Sequence, residues 1–299
     1  FTINAMAYNE RTGLVDEYGG IDDINNKVIR CVGRPEERFT EDALRMMRAI
    51  RFSAQLGFTI EDNTYKAIEK LSANIQKVSM ERVCVELKKT LMSDNPDFCR
   101  LYGTTNLFKD ILPQLHDSFT KRQSKRILLT CKYSEKELPL RLTACLSNGT
   151  PAQAEDTLRH LRMDNKTIET VVKILTFSKD NIEETEPAIR EALHKCGRDI
   201  FELVIKYDFA FVKASEEVTF ISNPARYNHL VTLKRMADEI LSRGDCFTIK
   251  DLDITGLDLI EYGLKGTQIG STLNYLLDIV IENPKLNDKA TLIGLLDMK

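Results

Sequence analysis

From Leu44 to Ala54 apolar residues recur at steps of three and four: Leu44, Met47, Ile50 and Ala54, with Met46 and Phe52 to one side. That period puts them on one face of an α-helix and predicts a surface that packs into a core. The helix is expected to span residues 40–57. Thr40 serves as N-cap, Glu41 and Asp42 lie in the first turn, and Gly57 supplies a left-handed stop. The same period predicts helices from Glu61 (Tyr65, Ile68 and Leu71 on one face), over 79–92 (capped by Ser79), over 96–108 and over 138–145. It continues across 151–175, 186–194, 199–214 and 226–242. Two brief extended segments, 13–16 and 28–32, are joined by a flexible turn at Gly19 and Gly20, and Gly33-Arg34-Pro35 is a break. The expected fold is therefore mostly α, with a short α/β portion at the N-terminus.

Beside the apolar stripe, Asp42, Arg45, Arg48 and Arg51 follow at three-residue intervals and form a second stripe along the helix. A carboxylate accepts from an exocyclic amine, and a guanidinium donates to a ring nitrogen, a carbonyl or, as a fork, to phosphate. Such a row suits a nucleoside triphosphate. Spacing alone favours a plainer arrangement, an Asp42–Arg45 surface pair worth under ~1 kcal/mol with two solvated arginines beyond it.

At 299 residues the chain has room for two or more domains. A net charge of −3 supplies no general attraction to nucleic acid, so RNA binding requires local basic patches. Lys121, Arg122, Lys125 and Arg126 form the densest one; it reads equally as an RNA-backbone contact and as a solvated helix face. Within 254–284, Gly263, Gly266 and Gly270 open a long apolar helix whose bare N-terminus suits a phosphate, although the Gly-Lys-Ser/Thr ending of a P-loop is missing. A tight helix–helix turn is the alternative. The seven cysteines show no Cys-x-x-Cys spacing and no disulfide framework or zinc site is expected. His116-Asp117 is a lone dipeptide, insufficient for a phosphohydrolase metal site. With no bilayer-length apolar run and no signal peptide, the chain reads as a reduced, cytoplasmic, soluble protein.

Four blocks in order, FTINAMAYN (1–9), GLVDEYGG (13–20), DINNKVIRCVG (23–33) and EDALRMMRAIRF (41–52), resemble consecutive motifs of the bacterial class II tRNA nucleotidyltransferases, the CCA-adding enzymes and their poly(A) polymerase relatives. The resemblance implies that Asp42 and Arg45 select ATP or CTP by pairing with the base and that Arg48 and Arg51 contact the bound nucleotide. Glu41 and Asn4 would support the site; Asn4 serves equally well as a helix cap. Residues 16–23 would act as a spring between head and neck. A looser likeness at 154–171 and a stronger one from Ile254 to the end imply a body and a tail that hold tRNA, with Gly266 and Gly270 at the RNA backbone. The implied division is a remnant of the nucleotidyltransferase head (1–33), a nucleotide-selecting neck (34–115), a helical body (116–235) and a tRNA-binding tail (236–299).

In the family an Asp-x-Asp pair upstream of the first block holds Mg²⁺. Asp22–Asp23 and Asp251/Asp253 are the nearest substitutes, and Asp251 is expected to cap a helix instead. The expectation is thus a CCA-end nucleotidyltransferase whose catalytic palm lies outside these residues, inactive on its own. A poly(A) polymerase, an A- or CC-adding enzyme, a non-catalytic helical RNA-binding module and a helical scaffold without ligand remain open.

Overall fold

The N-terminal stretch is pinned to the helices that follow it by a short parallel strand pair. The computed structural model describes residues 1–11, 13–178 and 181–297. A 3-10 turn, Thr2–Asn4, leads into antiparallel strands β1 (Ala7–Asn9) and β2 (Gly13–Val15). Helix α1 (Gly20–Asn25) and β3 (Val28–Ile29) follow; β3 pairs in parallel with β4 (Thr59–Ile60), Val28 opposite Thr59 and Ile29 opposite Ile60. The residues expected to form a flexible turn at 19–20 instead open α1. The Asp16 carboxylate accepts from the Gly20 and Ile21 amides, both at 2.8 Å, which holds its pKa below the usual range. Buried Asp23 accepts from Thr2 Oγ1 at 2.7 Å and pairs with Arg30, which also faces Glu61.

The central helix is shorter than its sequence pattern suggests. Pro35, with its preset φ, starts an earlier helix, α2 (Pro35–Glu41), and Thr40 lies inside it, donating to Glu36 O rather than capping. Asp42 is extended (φ −145°, ψ 104°), so the chain breaks there and restarts as α3 (Leu44–Leu56). Leu44, Met46, Met47, Ile50 and Ala54 are buried as the periodicity requires. Gly57 stops α3 in the left-handed region at φ 69°, where a side chain would be strained.

Helix α4 (Asp62–Leu71) is capped by Glu61, whose carboxylate accepts from the Thr64 amide. Helix α5 (Met80–Leu91) packs along α3; Ser79 is its N-cap residue but makes no side-chain capping bond, contrary to expectation. The segment 96–108 is not one helix. A 3-10 turn, Pro96–Cys99, runs into the short α6 (Arg100–Thr104), and left-handed Asn106 closes it. Then come α7 (Pro113–Thr120), α8 (Ser124–Tyr133), α9 (Leu138–Leu146), α10 (Pro151–His160) and α11 (Asn165–Phe177). The cysteines that look scattered in sequence include three, Cys99, Cys131 and Cys145, whose sulfurs meet in this core. Mainly helical packing, with four short strands among the described residues, agrees with the expected fold class.

Helices α12 (Glu186–Cys196), α13 (Arg198–Thr219), α14 (Pro224–Arg243), α15 (Gly256–Glu261), α16 (Thr267–Glu282) and α17 (Lys289–Asp297) complete the chain. Two compact units result. One comprises residues 1–178 with 206–222, the other 179–205 with 223–299, and α13 contributes to both. The second unit packs Leu252, Ile254 and Leu259 against Leu276, Leu277, Val280 and Ile281. In it Asp258 closes a capping box with Thr255 and accepts from Lys289 at 2.5 Å, which draws its pKa from 3.8 to about 2. A lowered carboxylate stabilises the fold above its unfolded value and loses that contribution as pH falls through the folded one. Acid unfolding of this unit should therefore contain a component between about pH 4 and pH 2 that Asp258→Asn abolishes, measured by circular dichroism during an acid titration.

Candidate nucleotide-selecting site

The break at Asp42 sets two functional groups side by side on the rim of α3. One Asp42 oxygen accepts from the Leu44 amide at 3.1 Å and the other from Arg82 Nη2 at 3.0 Å. Arg45, in the first turn of α3, grips Glu41 as a fork at 2.6 and 3.0 Å and donates from Nη1 to Arg38 O at 3.0 Å. This fork lowers the Glu41 pKa and raises that of Arg45. The surface pair suggested by spacing, Asp42 with Arg45, is thus replaced by two others, Asp42–Arg82 and Glu41–Arg45. Of the five guanidinium protons of Arg45, Nε–H and one on Nη2 meet no acceptor among the described residues.

Further along the helix the two arginines part company. Arg51 donates to Glu86 at 2.6 Å, both side chains nearly out of solvent, and its guanidinium lies 3.9 Å from the Phe52 ring centre. It is a structural clamp between α3 and α5. Arg48 sits 5.9 Å from the same ring and, among the described residues, forms no ion pair, so its charge remains available. Phe1 meets Phe52 edge-on at 5.7 Å, so the first sequence block docks against the arginine stripe. Asn4 ends the 3-10 turn with its side chain exposed; it is not a helix cap, because Phe1 holds that position.

Sequence reasoning missed Arg82 and Glu86, which α5 delivers to Asp42 and Arg51. Their four-residue spacing, beside the buried Val83 and Leu87, was the available signal for one shared face.

The basic cluster at 121–126 spans the turn between α7 and α8 (121–123) and the first turn of α8, which holds Lys125 and Arg126. Lys121 pairs with Asp117 at 2.6 Å, Arg122 and Lys125 are exposed, and Arg126 lies 5.0 Å from the Phe211 ring. Lys121 and Arg122 border an open recess of about 720 Å³, into whose wall Gln114 brings a buried Nε2 that has no partner among the described residues. In the second unit Gly266 precedes α16 at φ 57°, ψ −127°, a conformation reserved for glycine, and α16 starts without a side-chain cap. Thr267, Gly270, Ser271 and Asn274 form its exposed small polar face.

The family profile described as tRNA nucleotidyltransferase domain 2 matches residues 131–296, and that of the probable RNA and SrmB-binding site of polymerase A matches residues 57–119. Over 307 residues the chain is 31% identical to the CCA-adding enzyme of Pediococcus pentosaceus, an alignment covering 98% of this chain and 69% of that one. The chain belongs to the tRNA nucleotidyltransferase family of the CCA-adding enzymes. This nucleotidyltransferase is also 32% identical over 246 residues to the CCA-adding enzyme of Latilactobacillus sakei, covering 80% of its own length and 59% of that relative's. It superposes on the Bacillus stearothermophilus CCA-adding enzyme in complex with CTP with a TM-score of 0.75, over 100% of this chain and 73% of that one. At 24% identity that likeness speaks to the fold. Among the described residues of this nucleotidyltransferase, no helix is long and apolar enough to cross a membrane.

Proposed function

We propose that this chain carries the base-selecting and tRNA-holding parts of a cytoplasmic enzyme that adds C, C and A to the 3′ end of tRNA from CTP and ATP. The observation that supports this most is the pairing at the α2–α3 break. Asp42 presents a carboxylate steadied by Arg82, and Arg45 presents unused guanidinium protons steadied by Glu41. A fixed acceptor beside a fixed donor can read the edge of a base without a nucleic-acid template. Arg48 supplies charge toward the phosphates. Arg51, held by Glu86, keeps the helix in register rather than reaching for the ligand. Asn4 and Glu41 support the rim, Lys121, Arg122, Lys125 and Arg126 meet RNA phosphates, and the glycine-opened start of α16, with Gly266 and Gly270, lets a backbone approach closely.

Family chemistry calls for Mg²⁺, which demands converging oxygen donors. Among the described residues the metal-competent trio is Cys99, Cys131 and Cys145, soft sulfur donors unsuited to that ion. Asp251 is occupied as a cap, accepting from Thr248 N and Oγ1, and Asp23 is held by Thr2 and Arg30. These residues do not fit Mg²⁺, and no chemical step is derived through it.

The test is to supply a tRNA lacking its CCA end with Mg²⁺, CTP and ATP and to weigh the RNA. Addition of C, C and A is expected from the enzyme in which this chain works. A long A tract would make it a poly(A) polymerase. tRNA binding without addition by residues 1–299 alone would assign them selection and holding, with the chemistry elsewhere.

A further inference from the structure

Phe220 occupies an improbable place for an aromatic residue. It follows the last residue of α13 and closes that helix, its amide donating to Glu216 O at 2.8 Å, with φ at +57°. Glycine or asparagine normally fills such a left-handed closing position, and a phenylalanine there is strained. Its ring gains nothing from burial in return: Phe220 is 86% exposed and Ile221 beside it 70%. The turn is nonetheless held. The Ile221 amide donates to Thr219 Oγ1 at 3.3 Å, and Ser222 Oγ donates to Glu216 at 3.3 Å.

One cation reaches this ring. Lys125 Nζ lies 5.7 Å from its centre, and Lys125 belongs to the same basic segment, 121–126, as Lys121, Arg122 and Arg126. Arg126 in turn covers Phe211, and Lys213 Nζ lies 4.2 Å from the Tyr133 ring. An exposed aromatic face beside a lysine of a basic segment suits an unpaired nucleobase: the ring stacks on the base and the basic side chains follow the backbone. A strained residue held in place without a packing reason points the same way.

We propose that Phe220 is a stacking platform for an unpaired base of the tRNA whose backbone the basic segment 121–126 holds. The proposal rests on the tRNA-holding function above and adds a base contact to it. Stacking on one aromatic changes affinity by about 5- to 150-fold, and it tolerates any base because each offers a π-face.

The chain contains no tryptophan, so Phe220→Trp introduces a single fluorescent reporter at the platform. On titration with tRNA lacking its CCA end, the indole emission is expected to be quenched, saturating with the affinity that filter binding gives. Phe220→Gly relieves the backbone, so its melting temperature should equal or exceed that of the parent while tRNA binding weakens about 5- to 150-fold. Tight binding by the glycine variant, or an indole that stays bright while tRNA binds, overturns the platform and leaves the holding function intact. Failure of the unmodified protein to bind tRNA at all overturns both. An emission shift that depends on protein concentration in the absence of RNA would mark Phe220 as a contact between proteins and likewise overturn the platform.

Discussion

Arg45→Ala should degrade the choice between nucleotides while leaving tRNA affinity unchanged. The Arg45 side chain is about a quarter exposed, and its link to Glu41 lies at the surface, so loss of the fork should cost the fold less than ~1 kcal/mol. What disappears is the pair of guanidinium protons left over from Glu41 and Arg38 O, the ones placed to meet a base. A good base-edge contact carries about 1–3 kcal/mol of discrimination, roughly 5- to 150-fold. The ratio of kcat/KM for the correct nucleotide over UTP or GTP should fall by that factor at the CTP and ATP steps, measured by single-nucleotide extension of tRNA. Phosphate contacts set affinity and base contacts set identity. A fall in tRNA affinity with the nucleotide ratio preserved would therefore remove Arg45 from the base-reading role.

The largest structural effect is expected in the second unit. Among the described residues Arg190 is the bulkiest fully enclosed side chain, 2% exposed, and it spends its guanidinium on four groups. Nε donates to Ile281 O at 2.6 Å and Nη2 to Glu282 O at 3.2 Å, satisfying carbonyls at the end of α16; Nη1 pairs with Asp245 at 3.0 Å and Glu186 at 3.1 Å. Asp245, itself enclosed, has its pKa lowered by Arg243 first and Arg190 second. Arg190→Ala leaves a cavity, unpaired helix-end carbonyls and an acid with one cation fewer. About 3–5 kcal/mol of stability should be lost, the usual cost of breaking a buried charged network from one side. Arg190→Lys should not restore it, because an ammonium cannot reach divergent partners as a planar fork does. Hydrogen exchange resolved by segment checks this. Protection should collapse in 181–205 and 223–297 while the α3–α5 core keeps its own, and a loss under ~1 kcal/mol would show that the network is not what holds α12 to α16.

Periodicity along the chain was enough to specify the helical class, the buried row Leu44, Met47, Ile50 and Ala54, and the stop at Gly57, because each depends on residues within a few turns of one another. The ordered blocks from Phe1 to Phe52 were enough for the family, since short motifs keep their identity without reference to the fold. Partnerships were beyond its reach. Arg82 takes Asp42 from 40 positions away and Glu86 takes Arg51 from 35, while Arg190 reaches carbonyls 91 and 92 positions on. Cys99, Cys131 and Cys145, unremarkable in spacing, meet only when α8 and α9 close on the turn at Pro96–Cys99. Local propensity also misjudged the start of α3, where Pro35 and the extended Asp42 divided one apparent helix into two and so created the rim on which Asp42 and Arg45 stand. A charged side chain has many candidate partners of equal chemistry, and the pair that forms is chosen by which helix faces the apolar core brings together. That choice is made by packing of the whole unit, so it belongs to the tertiary structure alone.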